Sequence, residues 1–155
     1  AVLSLQPYAA VEIFKEPEKL AGFNAENIRK ARKVRDGADN MLQLVAKHKV
    51  ETFAGADLWQ EGVITKTPED MVLRKRWFKD VEILRQNTSY AAKWLAKSGT
   101  KNPYREGSLG VIEEGAYADL LLVEGNPVKD VGILADWQNN IRLIMKDGEF
   151  YKNSP

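Results

Sequence analysis

The chain has 155 residues, enough for one ordinary domain with a real core, and its 44% hydrophobic and 29% charged content excludes global disorder. Its 23 basic and 22 acidic residues leave a net charge of +1, which argues against a dedicated nucleic-acid binder, because such proteins carry a strong basic excess. The absence of cysteine excludes a disulfide framework and a thiolate metal site, and no apolar run approaches the roughly 20 residues of a membrane span.

Near the start, Val2 to Leu5 is a candidate buried strand that Pro7 ends. An apolar start without a cap or a polar tail suggests a chain that begins inside a larger fold. The segment has no basic n-region and is too short for a signal peptide, which leaves the compartment undetermined with the cytoplasm favoured. Tyr8 to Phe14 reads as a short helix or loop, broken by Pro17.

Asn24 is a good N-cap, and Glu26 suits the positive end of the helix that follows. Ile28, Ala31, Val34, Ala38, Met41, Leu42 and Val45 recur at helical spacing, so a helix is expected to about Lys47 or His48. The basic run from Arg29 to Arg35 lies off that stripe and is followed by Asp36 and Asp39, which marks a solvated face. Gly37 inside the helix signals either a close contact or a break between two helices.

Val50 to Ala54 reads as a second buried strand, running into Gly55-Ala56-Asp57-Leu58-Trp59. Strand, helix and strand make a βαβ unit, with the two strands parallel and buried on both faces. The turn presents one carboxylate, Asp57, at the C-terminal end of the second strand, where parallel α/β folds place their ligands.

After a loop over 58–66, Thr67 as N-cap and Pro68 at the first position start a helix whose stripe of Leu73, Trp77, Val81 and Leu84 carries it to about Arg85. Asn87-Thr88-Ser89 offers a second cap, a small-residue helix follows, and Gly99 is a plausible stop. Beyond the polar loop 100–110 the period changes. Glu113-Glu114-Gly115 is a turn, Ala118 to Val123 a buried strand, and Gly125-Asn126-Pro127 another turn. Val131 to Trp137 reads as a single helical turn. Ile141 to Met145 and Glu149 to Tyr151 form a hairpin about Asp147-Gly148.

The segment Gly107-Ser108-Leu109-Gly110-Val111-Ile112-Glu113-Glu114-Gly115-Ala116-Tyr117-Ala118-Asp119-Leu120-Leu121-Leu122-Val123-Glu124-Gly125-Asn126-Pro127 resembles the C-terminal signature of the amidohydrolase superfamily, G-x-(I/L)-x-x-G-x-x-A-D-(L/I) followed by D/G-x-(N/D)-P. Ile141 to Gly148 is similar to that family's closing V-x-K-D-G strand and turn. Gly55-Ala56-Asp57 is similar to its G-(T/S)-D segment at the end of barrel strand eight, with Ala56 in place of the usual hydroxyl residue, and Gln86 to Ala92 is similar to its A-T-x-N-x-A helix start. The likeness is closest to the imidazolonepropionase and Xaa-Pro dipeptidase-like branch, which hydrolyses acylated amino acids, dipeptides or small cyclic amides.

The resemblance implies an α/β chain in which residues 1–106 are the last two strands and helices of a (β/α)8 barrel and residues 107–155 a segment of a small C-terminal β-sandwich. Such barrels run to about 250 residues. The family binds one or two divalent metals, usually zinc, through histidines on strands one, five and six, a Lys or Glu on strand four and the strand-eight Asp. That Asp corresponds to Asp57, which the resemblance makes both a metal ligand and the general base toward a metal-bridging water. Trp59 and Trp77 are candidates to line the substrate pocket, although Trp is more often core.

A histidine-built centre needs at least three or four protein ligands, and this chain has one histidine, His48, flanked by lysines at a helix C-terminus. The first reading is therefore part of a metal-dependent amidohydrolase, catalytically incomplete alone. The second is a non-catalytic binding or interaction domain that keeps the amidohydrolase tail. The third is an enzyme completed by another chain. Two strands of a barrel leave strand edges open, so a homo-oligomer is expected, with a small-molecule amide as substrate and neither nucleic acid nor membrane as partner.

Overall fold

The computed structural model describes residues 2–55, 57–58 and 64–154. Strand β1 (Leu3–Leu5) runs into α1 (Pro7–Val11), where Pro7 occupies the first turn and costs no hydrogen bond. Two single 3-10 turns (Ile13–Lys15 and Pro17–Lys19) lead to the long helix α2 (Ala25–Lys47). The Asn24 side chain accepts from the Asn27 amide at 2.9 Å, the cap read from the sequence. Strand β2 (Thr52–Ala54) then pairs parallel with β1, Leu3 opposite Thr52 and Leu5 opposite Ala54. The helix is continuous through Gly37, where a side chain would meet open space, so Gly37 marks neither a contact nor a break.

The strands are less buried than their composition suggests. Leu5 and Thr52 are covered, whereas Leu3 and Ser4 are exposed. Likewise Ala31, Ala38, Leu42 and Val45 form the buried stripe of α2, while Val34 and Met41 at its margin face outward. The basic run is a solvated face: Lys30 pairs with Glu26, Arg32 with Glu18 and Arg35 with Asp36.

The helix expected from Thr67 to about Arg85 is two helices. Helix α3 (Thr67–Leu73) passes into a 3-10 turn (Arg74–Arg76), the chain bends over Trp77 and Phe78, and α4 (Asp80–Asn87) follows. The cap is Lys66 rather than Thr67, which is the first helical residue. Neither proline nor glycine marks the break. It occurs because the Arg74 carbonyl takes the amides of both Trp77 and Phe78 while the Arg74 side chain turns into the interior. Helix α5 (Ser89–Leu95) starts without a side-chain cap, because Asn87 and Thr88 instead donate to the Ile83 and Leu84 carbonyls and close the end of α4.

A 3-10 turn (Ala96–Lys101) and the loop beyond it lead to a three-stranded antiparallel sheet of β3 (Leu120–Val123), β4 (Ile141–Lys146) and β5 (Glu149–Asn153), in that order. Between β3 and β4 lie a 3-10 turn (Val131–Ala135) and the short helix α6 (Trp137–Asn140). Strand β3 is not the buried strand its leucines predict: Leu121 and Leu122 are 55% and 58% exposed.

Two apolar clusters hold these pieces. Leu5, Leu42 and Val45 join β1 to α2; Ile83, Val131, Leu134 and Ile141 join α4 to the sheet and its 3-10 turn. Phe78, at the α3–α4 bend, packs on both clusters, so the bend that sequence periodicity missed is where the two cores meet. Lys75 adds a bond to Asp130, whose carboxyl the ammonium holds below the usual range.

The signature residues are structural. Asp119 accepts from the Asp147 amide at 2.9 Å and so pins the β4–β5 turn, whose Asp147 and Gly148 both have positive φ. Asn126 closes its own turn by accepting from the Val128 amide. Gly110, at φ +70°, lies against the Thr88 backbone, where an added Cβ would come within 2.5 Å. Gly110→Ala is therefore expected to destabilise the chain by about 1–3 kcal/mol. Urea denaturation checks this, and a midpoint equal to wild type would show that the Thr88 contact gives way freely.

Candidate active site

The site is built at the C-terminal end of the parallel pair. Gly55 follows β2 directly, and its amide donates to the Leu5 carbonyl at 3.3 Å. A Cβ at Gly55 would fall 2.1 Å from the Ser4 hydroxyl, so a glycine lets β1 and β2 keep their close approach here. Two residues on, Asp57 is exposed and left-handed at φ +53°, a region that Asp adopts more readily than most side chains. Leu58, next to it, is buried and anchors the turn. Asp57 thus lies exposed just beyond the strand end. Trp59 lies outside the described residues.

The other sequence candidates do not gather here. His48 is the exposed C-cap of α2, before β2 begins, at the end of the strand opposite Asp57. Trp77 packs on the Leu5–Leu42–Val45 cluster and donates its indole N–H to Asp39 at 2.8 Å, lining a cleft with Val50 and Lys49 at that same far end. Among the described residues, no group of three or more His, Cys, Asp or Glu is placed to hold a metal ion. These residues alone therefore do not fit the metal centre that the family resemblance implies.

Beneath the Asp57 turn lies a buried polar hub that the sequence did not announce. Arg74, fully buried, donates from Nε to Asp70 at 2.7 Å, from one terminal nitrogen to Gln86 at 3.1 Å and from the other to the Leu5 carbonyl at 2.7 Å. The second Asp70 oxygen accepts from the Tyr8 amide at 3.0 Å, and Gln86 donates to the Thr52 hydroxyl at 3.0 Å. The i, i+4 spacing of Asp70 and Arg74 was the one available signal, and it reads equally well as a surface pair.

A second feature flanks β2. A cleft of about 700 Å³ runs between β2, α5 and β3, walled by Phe53, Ala54, Trp94, Leu95, Leu120 and Leu121. The indole nitrogen of Trp94 is buried there without a hydrogen-bond partner.

No family model and no curated protein matches the sequence. Solved structures do. An amidohydrolase matches over 99% of this chain and 34% of its own, at 28% identity and a TM-score of 0.76. A prolidase complexed with N-methylphosphonate-L-proline matches over 99% of this chain and 35% of its own, at 27% identity and a TM-score of 0.73. A Xaa-Pro dipeptidase with methionine bound in its active site matches over 95% and 34%, at 25% identity and a TM-score of 0.70. In fold the chain is similar to the C-terminal part of amidohydrolase and prolidase structures. The chain spans about a third of the length of the structures it matches.

The hub gives a test of its own. Asp70→Ala would leave the buried Arg74 charge and the Tyr8 amide without their acceptor, and a loss of about 3–5 kcal/mol is expected. Chemical denaturation measures it; a loss below about 1 kcal/mol would place the pair among ordinary surface bridges.

Proposed function

We propose that this chain is the C-terminal third of a metal-dependent amidohydrolase acting on the C–N bonds of acyl amino acids, dipeptides or cyclic amides, and that it is catalytically incomplete by itself. The observation that carries the reading is Asp57: an exposed carboxylate on left-handed backbone at the end of a parallel strand, in a chain similar to amidohydrolases and prolidases. In this reading β1 and β2 are strands seven and eight of a (β/α)8 barrel within residues 1–106, and residues 107–155 belong to a small β-sandwich. The prolidase and dipeptidase likenesses favour a dipeptide-like substrate.

The Asp57 carboxylate acts as general base. It takes a proton from the attacking water and returns it to the leaving nitrogen as the C–N bond breaks. Trp59, two residues on, remains the candidate for contact with the substrate. A divalent metal, zinc by family habit, would draw its remaining donors from polypeptide beyond this chain, because one histidine at the wrong end of β2 supplies none.

The chain alone, supplied with zinc or manganese, is expected to show no turnover of acyl amino acids or dipeptides; chelator-sensitive hydrolysis above background would defeat that expectation. In a polypeptide carrying the remaining two-thirds, Asp57→Asn keeps the size of the side chain but cannot take the proton, and kcat should fall about 10²–10⁴-fold. Near-normal kcat in a folded Asp57→Asn variant would remove Asp57 as the base.

The same reading accounts for uncovered surface. Among the described residues β2 and β3 each have one unpaired edge, and Leu122 and Phe150 are more than half exposed on the small sheet. Exposed edges and apolar faces favour association, so the chain on its own should form a homo-oligomer. Sedimentation at micromolar concentration checks this, and a single species of monomer mass would rule it out.

A further inference from the structure

We infer that Arg74 is a positioning residue for Asp57, and that its guanidinium sets the geometry of the strand ends from which the catalytic carboxylate projects. The inference rests on the reading of Asp57 as general base. Every acceptor that Arg74 uses leads to the two strands. One arm holds the carbonyl of Leu5, the last residue of β1. That carbonyl also receives the Gly55 amide, two residues before Asp57. The second arm holds Gln86, whose own amide grips Thr52 at the start of β2. The third contact, Asp70, fixes the Tyr8 amide where the chain leaves β1.

A planar guanidinium delivers these three bonds in fixed directions, which an ammonium on a flexible stem cannot reproduce. Burial of such an ion pair yields little net stability compared with an apolar packing of the same volume, so the direction of the bonds, rather than their strength, distinguishes this arrangement. Direction matters for a general base: a misplacement of about 1 Å can cost about 10²-fold in rate. Gly55, the residue Arg74 reaches through Leu5, is the described neighbour of Asp57 on its strand side.

The test variant is Arg74→Lys, which keeps the charge opposite Asp70 but not the fork. In the chain itself, amide hydrogen exchange is read at Gly55 and, as a reference, at Leu42 in the middle of the α2 core stripe. A positioning role predicts exchange at Gly55 at least about 10-fold faster with Leu42 within about twofold. Equal acceleration at both sites, or no change at Gly55, would overturn the inference. If Arg74→Lys does not fold, Gln86→Met carries the same readout, because it removes one arm and leaves the Asp70 and Leu5 bonds in place.

In the polypeptide that carries the remaining two-thirds, Arg74→Lys should lower kcat about 10–100-fold with KM little changed. Added to Asp57→Asn it should lower kcat no further, since it acts through that carboxylate. A KM effect alone, or full additivity, would overturn the inference. Should Asp57→Asn leave kcat intact, the base assignment fails by itself, and with it the role proposed for Arg74, whereas unchanged Gly55 exchange alongside a dead Asp57→Asn rejects Arg74 alone.

Discussion

The buried Arg74 guanidinium is the constraint on which the first half of the structure depends. A charge with no exposed surface needs a partner for each of its nitrogens, and here the partners come from four elements: α3 through Asp70, α4 through Gln86, β1 through the Leu5 carbonyl, and β2 at one remove through Thr52. Moving any one of them leaves a desolvated polar group unmatched. The bend between α3 and α4 follows from the same demand. Had the helix continued unbroken from Thr67 to Arg85, Asp70 and Gln86 would lie sixteen residues apart along one rod, roughly 24 Å at 1.5 Å per residue, and one side chain could not reach both. Folding the rod at Trp77 and Phe78 brings them to the same guanidinium and drops Phe78 between the two apolar clusters.

What was legible in the sequence was what local backbone chemistry decides. Asn24 caps α2 as its side chain and position predict, and Asp147-Gly148 turns the hairpin because both residues tolerate positive φ. The amidohydrolase signature was legible for a related reason. Its members are backbone requirements: Asp119 holding a turn, Asn126 closing one, Gly110 lying against the Thr88 backbone. Such requirements are written in residue identities, so a motif built on backbone geometry can carry a resemblance that is readable from sequence.

What was not legible depends on tertiary partners. Arg74 sits in Arg74-Lys75-Arg76, three cations that read as a solvated turn, and nothing local reveals that the first is buried while the next two are exposed. Trp77 fits a helical stripe that the bend abolishes. The leucines of β3 read as core, yet an apolar run says only that a surface wants cover, not that this chain provides it. The Asp57 turn lies between these cases. Its Gly-x-Asp pattern at a strand end was readable, and Ser4 in the facing strand explains the glycine, but the left-handed backbone of Asp57 was not foreseeable from its side chain.

The uncovered surfaces follow a pattern. Val123 and Ile144 place one face of the small sheet on the Ile83 cluster, and the helices α2 and α4 cover β1 and β2 from the side of Leu5 and Thr52. Among the described residues β1 and β5 keep free edges, and so do β2 and β3. The β2 and β3 edges are not two separate exposures. Phe53 and Ala54 from β2 and Leu120 and Leu121 from β3 line the same cleft, together with the unpartnered indole N–H of Trp94. The strand edges there carry backbone donors and acceptors, and the leucines carry apolar area. The Arg74 hub, reached through Thr52, and the Trp94 cleft, lined by Phe53, lie on two sides of the same strand, β2.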